Sequence, residues 1–174
     1  MNYAEIKTTD IANGEGVRVS LFVSGCTHHC KNCFNRIAWG FDYGTPFTHE
    51  TQEALLKALA PDYIAGLTLL GGEPLEPQNQ RGLLPFVEQF KARFPNKSVW
   101  CYTGYTYNDK GALKEERANC ECTPRLLSLI DVLVDGPFIE EQKDIRLRFR
   151  GSSNQRIIDL KRSLEENSTV LYLT

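Results

Sequence analysis

Four short apolar runs constrain this chain more than any other feature. They are Arg18–Val23 (RVSLFV), Gly66–Leu70 (GLTLL), Ser98–Tyr102 (SVWCY) and Asp131–Val134 (DVLV), and each breaks off into a turn rich in glycine or cysteine. Branched and aromatic residues dominate them, so they read as strands. Helical spacing fills the gaps. Thr48 can cap a helix to about Ala60, with Leu55, Leu56 and Leu59 on one face and Pro61 at its end. Asn79–Phe94 repeats Leu83, Leu84, Val87, Phe90 and Phe94, and Pro85 predicts a distorted start. Pro124–Leu129 and Ser153–Glu166 read as two more helices, and Thr169–Leu173 as a last strand. Met1–Gly16 is poor in apolar residues and reads as irregular, with a turn at Asn13-Gly14. Ile37–Phe47 reads as an irregular aromatic cover, and Tyr107–Glu121 as a loop with a partial helix. This alternation predicts an α/β fold with a mostly parallel sheet.

In such sheets ligands bind beyond the carboxyl ends of the strands. The first run leads into Ser24–Asn35 (SGCTHHCKNCFN), the second into Gly71-Gly72-Glu73-Pro74, the third into Thr103-Gly104-Tyr105, and the fourth into Asp135-Gly136-Pro137. Four such turns on one rim predict one shared site. The first carries Cys26, Cys30 and Cys33 in the spacing C-x-x-x-C-x-x-C. A structural zinc site or an electron-transfer cluster ordinarily takes four protein ligands, so three thiols point to a metal centre with one open position.

Composition narrows the setting. A chain of 174 residues is long enough for one domain with a proper core, and a net charge of -2 gives no reason to expect nucleic acid or an anionic membrane as partner. No apolar run reaches membrane-spanning length and no leader pattern opens the sequence. The expected location is therefore cytoplasmic, where clustered cysteines serve metal or redox chemistry rather than disulfides.

Three thiolates can hold three irons of a [4Fe-4S] cluster and leave the fourth free to chelate an amine and a carboxylate. A ligand offering both, with a sulfonium that one electron can cleave, is S-adenosyl-L-methionine. Gly71 and Gly72, lacking Cβ, would admit its methionine end, and Glu73 could accept a hydrogen bond from its amine.

C-x-x-x-C-x-x-C after one strand and GGEP after the next resemble the radical SAM superfamily. N-G-E-G-V-R, L-F-V-S-G-C, W-C-Y-T-G-Y, V-L-V-D-G-P-F and R-G-S-S-N-Q-R, with the small size, resemble the activating-subunit family of the anaerobic (class III) ribonucleotide reductase. The likeness runs from about residue 10 to 156 of a single 1–174 domain, and 157–174 reads as a C-terminal extension. It implies a partial, open (β/α) barrel and an oxidoreductase that makes a 5′-deoxyadenosyl radical. That radical would take a hydrogen from a glycine of the reductase catalytic subunit, with electrons from a low-potential donor such as flavodoxin. It also implies Cys26, Cys30 and Cys33 as cluster ligands, Asn32, Cys33 and Phe34 in the adenine region, and Gly71, Gly72 and Glu73 at the methionine amine.

Other readings compete. A zinc ion could take His28 or His29 as fourth ligand, although adjacent loop positions wrap one small ion poorly and GGEP would be unexplained. Both histidines are expected to face solvent. The chain could instead serve a pyruvate formate-lyase type enzyme, or be an iron–sulfur electron carrier with a fourth cysteine ligand. Cys101 reads as a core residue, and Cys120 and Cys122 as incidental surface thiols. Asp135, Thr103 and Tyr105 are open between ligand contact and turn capping. Arg148, Arg150 and Arg156 are open between a docking face and a solvated charge run.

Overall fold

The computed structural model describes residues 1–173. One mixed sheet of eight strands runs through the molecule, in the order β3-β1-β2-β4-β5-β6-β7-β8. Its centre is β2 (Val17–Val23), β4 (Ile64–Gly71), β5 (Ser98–Tyr102) and β6 (Val132–Asp135), all mutually parallel. These are the four apolar runs of the sequence. The flanks are antiparallel: β1 (Asn2–Asp10) and β3 (Thr45–Pro46) beside β2, β7 (Arg156–Asp159) and β8 (Leu171–Leu173) beside β6. The expectation of a mostly parallel sheet therefore holds only for the centre; three strand pairings are parallel and four antiparallel.

Helices join the parallel strands, since a parallel pair needs a crossover. They are α1 (His49–Leu59), α2 (Pro77–Arg93), α3 (Thr123–Leu129) and, after β7, α4 (Leu160–Glu166). Alternation along the strands decides the packing. Val19, Leu21, Val23, Leu67, Leu69, Val99, Cys101 and Leu133 share one core with residues from all four helices, including Leu55, Phe86, Leu127 and Leu160. A smaller cluster holds the alternate residues Trp100, Val132, Val134 and Ile157, with Phe149 against it.

Two expectations about elements fail. Met1–Gly16 is not irregular: Asn2–Asp10 is a strand next to the sheet edge with Asp10 its one buried residue, so burial left little apolar pattern. The expected helix Ser153–Glu166 begins as strand β7, where Ile157 and Ile158 pair with β6, and turns helical only at Leu160. Asp159 makes that switch by accepting the Arg162 N–H at 3.0 Å, an N-cap. Helix α2 starts at Pro77, before the expected Asn79, and continues through Pro85 as one helix.

No helix among the described residues is long and apolar enough to cross a membrane.

Candidate iron–sulfur site

The carboxyl ends of β2, β4, β5 and β6 lie on one side of the sheet, and their four turns surround a cavity of about 560 Å³. The residues expected to hold a cluster or its ligand all line it: Cys26, Cys30, Asn32, Cys33, Phe34, Gly71, Gly72 and Glu73. Thr103, Gly104, Gly136, Phe138 and the segment from Lys143 to Gly151 complete much of the wall. A second cavity, about 460 Å³, opens at the amino ends of β2, β5 and β6; Arg18 and Trp100 line it, and no cysteine does.

Backbone hydrogen bonds set the relation between the cysteine loop and the glycine turn. Gly72 N–H donates to the Val23 carbonyl at 2.8 Å and Glu73 N–H to the Gly25 carbonyl at 2.8 Å. Asn79 on α2 fastens both segments, its amide donating to the Ser24 carbonyl at 3.0 Å and the Glu73 carbonyl at 2.9 Å. The approach is so close that side chains are excluded. A Cβ on Gly71, whose φ is +113°, would lie 2.6 Å from the Val23 nitrogen, and one on Gly72 would lie 2.6 Å from the Gly25 carbonyl oxygen.

The three sulfurs differ in their surroundings. Asn35 N–H donates to Cys33 Sγ at 3.4 Å. Burial pushes the Cys26 thiol up to about 12; the N–H groups of His28 and His29 pull it down, and the charges of Glu73 and Glu76 push it up. Burial likewise raises Cys30, against the pull of the Phe138 N–H. The neighbouring charges oppose ionisation of both thiols, so a thiolate at these positions calls for the charge of a metal. Among the described residues no three His, Cys, Asp or Glu side chains converge tightly enough to hold a single ion. The donor set, three thiols around one open space, fits an iron–sulfur cluster. Tyr102 also lines the cavity, and its hydroxyl is buried without a partner.

Other expectations resolve one by one. His28 does not face solvent: its side chain is 13% exposed, and Nε2 lies 2.7 Å from Glu73 Oε1. His29 stays exposed, though its ring stacks on Trp39 at 4.2 Å. Glu73 is 1% exposed and its carboxylate is held by protein donors. Thr103 and Tyr105 reach the site as supports, Thr103 on Glu73 and the Tyr105 hydroxyl on Glu76. Asp135 is a structural anchor, paired with Arg156 at 2.6 Å and accepting the Tyr107 N–H at 2.8 Å. That pairing holds the Arg156 guanidinium above its usual range despite burial. Arg148 is largely exposed, while Arg150 donates to the Gln155 carbonyl. Cys101 is a core residue, 0% exposed. Cys120 and Cys122 are half-buried away from the cavity, with Cys120 Sγ 3.4 Å from Gln80 Oε1.

Residues 12–158 match the family described as a 4Fe-4S single cluster domain. A protein of Haemophilus influenzae named anaerobic ribonucleoside-triphosphate reductase-activating protein is 45% identical over 159 residues, covering 90% of this chain and 97% of that one. Proteins of the same name from Escherichia coli and Enterobacteria phage T4 are 39% and 41% identical. The alignments cover 92% and 90% of this chain, and 100% and 93% of those relatives. The chain belongs to the anaerobic ribonucleoside-triphosphate reductase-activating protein family. Within that family assignment, the matched span takes in all four strand-end turns and β7 up to Ile158, so the whole cavity wall lies inside it.

Proposed function

We propose that this chain is a radical SAM activase that generates a glycyl radical on the catalytic subunit of an anaerobic ribonucleoside-triphosphate reductase. The observation that carries the reading is the cavity itself: three thiols, one of them accepting the Asn35 N–H, share it with two glycines whose Cβ positions are forbidden. The family membership supports the choice of partner.

When bound, a [4Fe-4S] cluster with adenosylmethionine supplies one electron to the sulfonium and so a 5′-deoxyadenosyl radical able to take hydrogen from glycine. Cys26, Cys30 and Cys33 would hold the cluster. The Gly71–Glu73 backbone would meet the methionine end, because nothing projects from the two glycines. Phe34, 91% exposed, and Asn32, in the left-handed region at φ 57°, would lie against the adenine. Walls from the ends of β4, β5 and β6 would limit the access of water to the reacting atoms. In this reading residues 1–174 act as one domain, the sheet forms a partial, open (β/α) barrel, and the partner's glycine segment enters from the open side. Electrons come from a low-potential donor of the flavodoxin type.

The test is anaerobic reconstitution with iron and sulfide, then a strong reductant and adenosylmethionine. The expected products are methionine and 5′-deoxyadenosine in equal amounts. Joint substitution of Cys101, Cys120 and Cys122 leaves iron content and cleavage in place, whereas Cys30→Ser loses both. Cluster-loaded protein that yields neither product sinks the reading, and a requirement for one of the three outer cysteines turns it into a four-ligand carrier.

A further inference from the structure

Glu73 is the residue that the sequence offers to a ligand's amine, yet both its carboxylate oxygens are engaged within the protein. Oε1 accepts from the Gly104 N–H at 2.7 Å and bonds His28 Nε2 at 2.7 Å. Oε2 accepts the Leu75 N–H at 2.8 Å, and the Thr103 hydroxyl lies 2.9 Å from each oxygen. The carboxylate therefore joins three of the four rim turns: the cysteine loop through His28, its own turn through Leu75, and the turn after β5 through Thr103 and Gly104.

His28 is seated by shape as well as by that bond. Its ring meets Tyr105 edge-on, with centroids 4.4 Å apart. A Cβ on Gly104 would lie 2.8 Å from the imidazole, so the neighbouring turn is cut away where the ring fits. One residue earlier a parallel tie repeats the arrangement: Glu76 Oε1 accepts the Thr27 N–H at 3.0 Å and the Thr27 hydroxyl at 2.7 Å, and the Tyr105 hydroxyl at 3.1 Å.

We infer that His28 and Glu73 form a positioning pair, which fixes the Cys26–Cys30 half of the loop against Gly71-Gly72 and against Thr103-Gly104, and that neither side chain contacts the ligand. Outer partners of this kind commonly change metal-site affinity or activity by about 10–100-fold when removed. In its ligand-binding consequence the inference rests on the function proposed above; in its structural content it does not.

The experiment compares wild type, His28→Ala and His28→Gln, the last keeping an N–H donor where Nε2 stands. Amide hydrogen exchange on the chain without metal is the first readout. Peptides covering 24–33 and 103–106 exchange faster in His28→Ala, those of β4 and α2 keep their protection, and His28→Gln moves back toward wild type. The second readout is adenosylmethionine affinity of reconstituted protein, followed by the change it causes in the reduced cluster's electron paramagnetic resonance spectrum. His28→Ala weakens it by about 10-fold or more, with iron content kept, and His28→Gln recovers most of it. Unchanged exchange and affinity in His28→Ala would overturn the pair. So would equal impairment of both variants, or a uniform loss of protection through β4 and α2. If wild type itself binds no adenosylmethionine, the proposed function fails, and the exchange data still decide the pair.

Discussion

Arg18 is 1% exposed, and among the described residues no carboxylate lies within ion-pair distance of it. Its donors go instead to the Thr68 hydroxyl, the Ser98 hydroxyl and the carbonyls of Glu15, Leu67 and Ser98, at 2.8 to 3.1 Å. Burial lowers its pKa to about 10, which leaves it charged at neutral pH. Carbonyls of β4 and β5 and the Asn13–Gly16 turn thus share one guanidinium. Arg18→Leu strips several buried acceptors of their donor and is expected to cost about 3 kcal/mol or more. Arg18→Lys recovers only part of that, because an ammonium cannot reproduce the fork. Chemical denaturation checks both: the midpoint falls in the order wild type, Lys, Leu, at constant slope. Arg18 gave no signal in the sequence, where it sat as one polar letter in an apolar strand. His28 was misread for a related reason. The three cysteines announce themselves by spacing, but the partner that buries His28 lies 45 positions away.

At the scale of elements, the four parallel strands and the helices between them were legible because each is buried, and burial writes an apolar pattern. Near the edge burial is slight, and β1, buried only at Asp10, carried too little pattern to be read. The β7–α4 unit misled for the opposite reason: two isoleucines followed by Leu160 fit a helix face as well as a strand. Pairing with β6 and the Asp135–Arg156 bond settle it as strand, and neither is local. The turns themselves are more demanding than their letters suggest. A Cβ on Gly72 meets the Gly25 oxygen at 2.6 Å and the Ala38 oxygen at 3.1 Å, both backbone atoms that cannot swing aside. Gly72→Ala is expected to lower stability by about 1–3 kcal/mol through overpacking. It also shifts the cysteine loop away from the glycine turn, so adenosylmethionine affinity falls further than stability does. Thermal unfolding of the chain without metal and ligand titration of the reconstituted protein separate the two effects. Affinity equal to wild type would mean that this close approach is only structural.

For the whole molecule, one sheet gathers four sequence-distant turns on one rim and leaves the cysteines outside the loop elsewhere. Placement on that rim could be read in advance, since parallel strands put their carboxyl ends together. The antiparallel flanks could not, because strand direction at an edge is chosen by tertiary pairing. The flanks matter to the site: β1 holds the start of the cysteine loop through the Asn2 carbonyl, which accepts the Ser24 N–H at 3.0 Å. The central claim, that this arrangement delivers a radical to a partner glycine, is tested most directly by one anaerobic mixture. It contains reconstituted chain, adenosylmethionine, a low-potential reductant and the catalytic subunit of an anaerobic ribonucleoside-triphosphate reductase, read by electron paramagnetic resonance. The account predicts a glycyl radical signal on the partner that needs every component and disappears with Cys33→Ser. A silent spectrum from cluster-loaded chain bound to its partner, or a signal that survives Cys33→Ser, would contradict it.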